Sequence, residues 1–337
     1  MKKLISLILA LVMILTLTAC GSSSAQAKAP AADASANNAE KTCKVAIIQQ
    51  LDHSSLDEIR MAIEAQLGAL AQEQNVTIEI EHYNGQNDTS MLTQIATQVV
   101  ADQVDMIIPI ATLAAQYAVL AAEGTDIPIV YAAISDPEGA GLTGLANVTG
   151  VSDALNTPFI LDMMLSAQPD VKTVGLLYST SEVNSEAPIA EAKAYLDAKG
   201  IAYLEKTGTT SGEIVEAAAS LVGRVEAVFT PTDNVVMAAE ASVAELLNAD
   251  GIAHYTGADS FVLSGAFATC GVNYTELGTK AADMAFDILM GGEIGEFVVM
   301  DGGIITVNTD TAAAIGVDYD VFSSMANTVN AVATIAD

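Results

Sequence analysis

Tryptophan is absent from this 337-residue sequence, and aromatic residues make up only 5% of it. The hydrophobic content, 51% by count, therefore rests on alanine, valine, isoleucine and leucine. It is too high for a disordered chain. Basic residues are also scarce: 12 Lys and Arg stand against 42 Asp and Glu, a formal net charge of −30. A phosphate backbone needs clustered Lys and Arg, so no nucleic-acid partner is expected. An anionic lipid surface disfavours the folded body for the same reason. The three histidines, His53, His82 and His254, and the three cysteines form no HExxH and no Cys/His spacing of a metal site. No metal and no cofactor is expected. There is no GxSxG elbow, no GxxxxGK[ST] loop and no GxGxxG opening a helix after a strand. An exported enzyme working through His53 or a carboxylate is therefore the weakest reading.

Residues 1–19, MKKLISLILALVMILTLTA, carry Lys2 and Lys3 ahead of an unbroken apolar run. This is the pattern of a secretory signal peptide, short for a permanent membrane span. Leu17-Thr18-Ala19-Cys20 resembles the bacterial lipobox, in which the cysteine becomes diacylated after cleavage. Two acyl chains suffice for stable anchoring. Removing the leader takes two lysines and no acid, leaving 10 bases, 42 acids and a net charge of −32. Residues 20–41, rich in Ser, Ala and Asn, read as a flexible tether. The expected location is extracytoplasmic, held to the cell membrane by the lipid on Cys20 alone. Of the remaining cysteines, Cys43 opens the first strand of one half and Cys270 lies late in the other. An even pair in an exported chain suggests a disulfide, but this separation favours two free thiols.

From Lys44 onward, short apolar runs alternate with segments of helical spacing. Lys44–Gln49 reads as a buried strand, followed by a helix over 55–74 whose apolar residues are Leu56, Ile59, Ile63, Leu67 and Leu70. Ser54 or Ser55 is its expected N-cap. Strand 76–83, helix 89–102, strand 106–111, helix 114–123 and strand 128–134 follow. The pattern then restarts with strands at 171–179, 202–206, 227–230 and 253–257 and helices at 186–199, 213–221 and 235–248. Strands alternating with helices of this length imply parallel sheets. KVAIIQ, DMIIPIAT and IPIVYAAISD in the first half answer KTVGLLYS, EAVFTPTD and IAHYTGADS in the second. The fold class expected is α/β, with two doubly wound parallel-sheet lobes joined by a multi-strand hinge. The first lobe is expected over 42–155 plus a returning tail at about 291–337, and the second over 156–290.

Ligands of open α/β sheets bind beyond the carboxyl ends of the strands. The residues at those positions are Gln49, Gln50, Asp52 and His53 after strand one, Thr112 after strand three, and Ser135, Asp136 and Pro137 after strand four. The second half supplies Ser179, Ser181, Glu182, Asn184 and Ser185, then Thr232, Asp233 and Asn234, then Asp259 and Ser260. Short hydroxyls at helix starts suit a carboxylate, and Asp136, Asp233 or Asp259 suits an ammonium. The set therefore points to a small zwitterion. The same residue types are preferred N-caps and turn formers, so each alone also has a purely local role.

Several strings in order along the chain resemble bacterial ABC-transporter substrate-binding lipoproteins, and more narrowly the tryptophan/tyrosine-type substrate-binding family. They are HSSLDE (53–58), IATLAAQ (110–116), ISDPEGAGL (134–142), NVTGVSD (147–153), LLYSTSEVNSE (176–186), PTDNVV (231–236) and GAFATCGVNYTELG (265–278). The resemblance implies two lobes that close on a solute, a Venus flytrap of the periplasmic-binding-protein-like I type. It also implies an aromatic amino acid as ligand, ABC permease and ATPase subunits as partners, and a monomer. By the same resemblance Thr112, Asp136, Ser181, Asn184, Ser185, Asp233, Asn234 and Asp259 sit in the ligand loops. Cys270 stands where the family pattern suggests an aromatic such as Tyr. An aromatic wall for the ligand would then come from Tyr131, Tyr178, Phe229 or Tyr255, unless those are core. A ligand-sensing receptor of the same fold without a transport role is the alternative.

Overall fold

The computed structural model describes residues 41–335. The leader, the lipobox and all but the last residue of the tether lie outside them. No helix among the described residues is long and apolar enough to cross a membrane.

The first sheet is built by β1 (Thr42–Gln49), β2 (Thr77–Asn84), β3 (Met106–Ile110), β4 (Ile129–Ala132), β5 (Val148–Ser152) and β11 (Val298–Val299), in the order β11-β5-β4-β3-β1-β2. All its pairings are parallel. Residues 45–48 of β1 are buried on both faces, as a central strand between two helical layers requires. One face is covered by α1 (Ser54–Gln74), whose Ile59, Ile63 and Leu67 are fully buried, and the other by α2 (Thr89–Ala101) and α3 (Thr112–Ala121).

The second sheet contains β6 (Thr173–Ser179), β7 (Ala202–Gly208), β8 (Ala227–Thr230), β9 (Ala253–Thr256), β10 (Ala268–Gly271), β12 (Ile304–Asn308) and β13 (Thr328–Val332), in the order β13-β12-β10-β9-β8-β6-β7. Only β10–β12 is antiparallel. On one side lie α4 (Thr157–Ala167) and α5 (Glu186–Lys199). On the other lie α6 (Ser211–Ala219), the single turn α7 (Asn234–Met237), α8 (Glu240–Ala249) and α9 (Asp259–Leu263), while α11 (Thr309–Ile315) follows β12 and touches α8. In both sheets the winding reverses beside the first strand, between β1 and β3 and between β6 and β8. Those two switch points face each other. The two parallel-sheet α/β lobes form a periplasmic-binding-protein type I fold.

Four local expectations are corrected. The tail does not return to the first lobe: only β11 joins that sheet, while β12 and β13 complete the second. Conversely α10 (Tyr274–Leu289), expected in the second lobe, crosses back and packs along α1. Its apolar face includes Leu277, Ala281, Ala285 and Leu289. Gly278 brings the two helices so close that a Cβ there would lie 2.6 Å from the carbonyl oxygen of Ile59. The helix expected over 235–248 is broken at Ala238 and Ala239 into α7 and α8. His53, not Ser54 or Ser55, occupies the N-cap of α1, and its side chain makes no capping bond. Strand β5 and helix α4 received no sequence assignment. β5 reads VTGVS, and its Gly150 is required because a Cβ would fall 2.2 Å from Tyr131 O. Cys43 and Cys270 are buried free thiols in different sheets.

Candidate functional site

The chain passes between the lobes at 153–156, 272–273 and 300–303, so the hinge has three crossings. The switch-point loops meet across the gap. From the first lobe come Gln50–His53 after β1, Ala111 and Thr112 after β3, and Ser135 beyond β4. From the second come Glu182–Asn184 after β6 and Thr232–Asn234 after β8. Ala111 has φ 73 and ψ 163, a conformation that costs a non-glycine residue strain. It lets α3 start at once, directing its first N–H groups toward this gap.

The lobes are closed on each other by side-chain bonds. Gln50 Nε2 donates to Glu182 Oε1 at 2.6 Å and to Asn87 Oδ1 at 2.9 Å, while its Oε1 accepts from Leu113 N at 3.0 Å. Asn234 Nδ2 donates to Glu182 Oε2 at 2.6 Å. That leaves Asn234 Oδ1 facing His53 Nε2 at 3.0 Å. Ser135 Oγ lies 2.9 Å from Thr232 Oγ1 and donates to Asp153 Oδ1 at 3.0 Å, and the Tyr274 hydroxyl donates to Asp153 Oδ2 at 3.1 Å. Ser55 and Ser260 hydroxyls also meet across the gap. The cavity that remains is about 20 Å3, near the volume one water needs.

Asp153 and Asp233 bring carboxyl groups to this interior, and no Lys or Arg among the described residues lines it. Burial raises the carboxyl pKa of Asp153, Asp233 and Glu182, and the Asp233 charge raises Glu182 further. Burial holds the His53 imidazole down to about 4, against weaker upward pulls from its bond to Asn234 and from Asp57 and Asp52.

Of the residues expected at the site, His53, Thr112, Ser135, Asn184, Asp233 and Asn234 line this cavity. Asp233 is already committed: Oδ1 accepts from Val235 N and Val236 N, and Oδ2 from Ser179 N and Ser185 Oγ, at 2.7–3.1 Å. It is the N-cap of α7, and Ser185 is its buried support. Asp136 turns onto Gly139 N at 2.9 Å and borders a second interlobe space of about 360 Å3 together with Thr112 and Asn184. Gln49 ties β1 to α1 through Asp57 Oδ1 at 3.0 Å and does not reach the cavity. Ser181 is exposed and bonds only the Ser179 hydroxyl. Asp259 opens α9 off the cavity, its carboxyl raised to about 6 by burial and the Glu58 charge. Gln50 and Glu182, both expected at strand ends, bridge the gap beside the cavity, and the lining also takes in Asp153, Phe261 and Tyr274. Asp153 and Tyr274 belong to hinge crossings, which no local pattern marks. Tyr131, Phe229 and Tyr255 are core, fully buried, and the aromatic side chains on the cavity are Phe261 and Tyr274.

The sequence profile of the ABC transporter substrate binding protein family matches residues 44–329. The chain belongs to this family. Among curated proteins, this ABC substrate-binding protein is 33% identical over 285 residues to the "Tyrosine-binding protein" of Clostridioides difficile, covering 82% of each chain. Among solved structures it resembles an ABC domain from Streptococcus pneumonia in complex with L-Trp, with TM-score 0.79, 28% identity, and 86% of this chain and 100% of that one covered. It also resembles the ligand-free, open structure of a substrate binding protein with adhesive properties from Clostridium difficile, with TM-score 0.64, 32% identity, and coverage of 87% and 100%. The ligand-free open structure is the more similar in sequence and the less similar in shape. That order matches the closed disposition of the lobes seen here.

Proposed function

We propose that this ABC substrate-binding protein captures an amino acid with an aromatic side chain in its interlobe cleft and presents it to a permease driven by a cytoplasmic ATPase. The protein works outside the cytoplasm, held to the membrane by a diacyl group on Cys20, and it binds rather than transforms its ligand. The carrying observation is the buried pairing of Glu182 with amide donors only, in a cleft that lacks a basic side chain. Burial disfavours the charge of a carboxylate so placed until a cation compensates it, and an ammonium group supplies that cation. Glu182, which bridges the lobes through Gln50, is therefore the group we assign to the ammonium, in place of Asp233, whose lone pairs are used, and of Asp259, which makes no side-chain bond across the gap. The ligand carboxylate is received by uncharged donors, the Thr112 and Ser135 hydroxyls and the start of α3. Leu56, Met237, Phe261 and Tyr274 supply the apolar wall that an aromatic ring requires. The names of the two relatives, one tyrosine-binding and one solved with L-Trp, support the same class.

A cavity of about 20 Å3 cannot hold an amino acid, so the ligand enters an open form and, on closure, takes the place of part of the direct bridging between lobes. Closure is then favoured by the contacts the solute makes with both lobes. The test is thermal unfolding of protein stripped of co-purified ligand by unfolding and refolding, against a panel of amino acids, nucleosides and sugars. Ligand at a hundred times its Kd adds about 2.7 kcal/mol, and the largest shift is expected for L-Tyr or L-Trp. No shift with any amino acid would refute the reading.

A further inference from the structure

The lining of the interlobe cavity divides into two groups. Ser135, Thr232, Asn184 and Asp153 are tied together by hydrogen bonds near the hinge. The second group gathers at the start of α1. His53 caps that helix, and Leu56 is in its first turn. Asn234, bonded to His53, and Met237 sit three residues apart on α7. Phe261 adjoins Ser260, whose hydroxyl meets that of Ser55. The polar members of this second group other than the His53–Asn234 pair are already bonded: Ser55 to Ser260, and Asp233 to four donors.

The proton on His53 is fixed by its neighbours. Gln50 gives its carbonyl oxygen to Leu113 N, so its amide nitrogen faces Glu182. Glu182 takes the Asn234 amide nitrogen on its other oxygen, and Asn234 Oδ1 then requires a donor. Nε2 of His53 must carry the hydrogen, and Nδ1 is left with a bare lone pair. Nδ1 is buried and has no hydrogen-bond partner. Among the described residues lining this cavity it is the one buried side-chain polar atom without a partner. A buried acceptor left empty costs free energy that a matching donor recovers.

We propose that His53 Nδ1 accepts a hydrogen bond from the ring donor of the bound amino acid, a phenol O–H or an indole N–H, and so makes His53 a specificity-determining residue. The inference rests on the amino-acid reading above and refines it. Sites built to hydrogen-bond a polar hydrogen reject analogues that lack it, whereas purely apolar pockets discriminate weakly.

Two substitutions separate the ring nitrogens. His53→Gln carries an amide N–H toward the place of Nε2 and removes the Nδ1 acceptor. His53→Asn keeps an acceptor at the place of Nδ1 and loses the donor to Asn234. Calorimetric titration of the full chain, freed of co-purified ligand, is run with L-Tyr, L-Trp and L-Phe. The natural protein is expected to bind L-Tyr or L-Trp at least about tenfold more tightly than L-Phe. His53→Gln is expected to lose that preference, the ratio of the L-Phe dissociation constant to that of L-Tyr or L-Trp falling toward one, and His53→Asn to retain it. A natural protein that binds L-Phe as tightly as L-Tyr and L-Trp, or a His53→Gln variant that weakens all three equally, overturns the assignment while leaving the amino-acid reading intact. Failure of the natural protein to bind any of the three, or any other amino acid, overturns both.

Discussion

Asp233 and Asp136 are both aspartates just past a strand, and both fit an ammonium when read from sequence. Their surroundings separate them. Asp233 is fully buried, with four donors on its two oxygens, two of them backbone N–H groups of the turn it caps. Asp136 is partly exposed and takes one backbone N–H in a tight turn. Asp233→Ala removes a cap and strands Ser179 N–H and Ser185 Oγ in the interior. We expect it to lower stability by about 2–4 kcal/mol, measured by urea unfolding, with Asp136→Ala costing under about 1 kcal/mol. Equal small losses would show that the Asp233 donors find other partners. Residue types and strand ends were thus legible, because both follow from hydropathy alone. The division between structural and ligand-facing carboxyls was not, since it depends on which donors converge in three dimensions. Glu182 illustrates the same limit: its position after β6 is evident in the sequence, but its bond to Gln50 spans 132 residues.

At the level of elements, the sequence conveyed the repeating strand–helix order because each strand between two helical layers must be apolar on both faces. It did not convey which lobe the last third of the chain would join. Helix α10 shows why. An amphipathic stripe states that a helix packs on something, and the partner is chosen by shape. The partner is α1, and Gly278 is the contact that admits it. Gly278→Ala places a methyl 2.6 Å from Ile59 O and forces the helices apart. Ala raises helix propensity by roughly 1 kcal/mol, so any net destabilisation comes from the interface. We expect a net loss of about 1–2 kcal/mol, read from the midpoint of denaturant unfolding. A gain in stability would mean that α10 shifts along α1 at little cost. Lys41, just ahead of β1, donates its ammonium to the Leu289 carbonyl at the end of α10. The first strand and the last helix of this lobe are thus tied at the same point, where the cation also favours the helix dipole.

For the whole molecule, the decisive property is that four side-chain bridges span the lobes where only a water-sized space is enclosed. Empty protein and solute therefore compete for the same groups, and the affinity observed is the intrinsic affinity reduced by the closed, empty fraction. Gln50→Ala removes the bridge to Glu182 and is expected to move the unliganded equilibrium toward the open form by roughly tenfold, the value of one buried bond to a carboxyl group. Small-angle scattering without ligand would register a larger radius of gyration. An unchanged radius would place the closing free energy in the remaining bridges.

The exchange of α10 for β12 and β13 has a consequence for biosynthesis. The first sheet lacks one of its covering helices until residue 289 has been made, and the second lacks two strands until residue 332. A growing chain cannot finish either lobe in sequence order and set it aside. Most of the protein must be available before either half is complete. Such a chain stays unfolded and threadable for longer than two lobes laid end to end would, a useful delay for a polypeptide that has to cross a membrane before it folds.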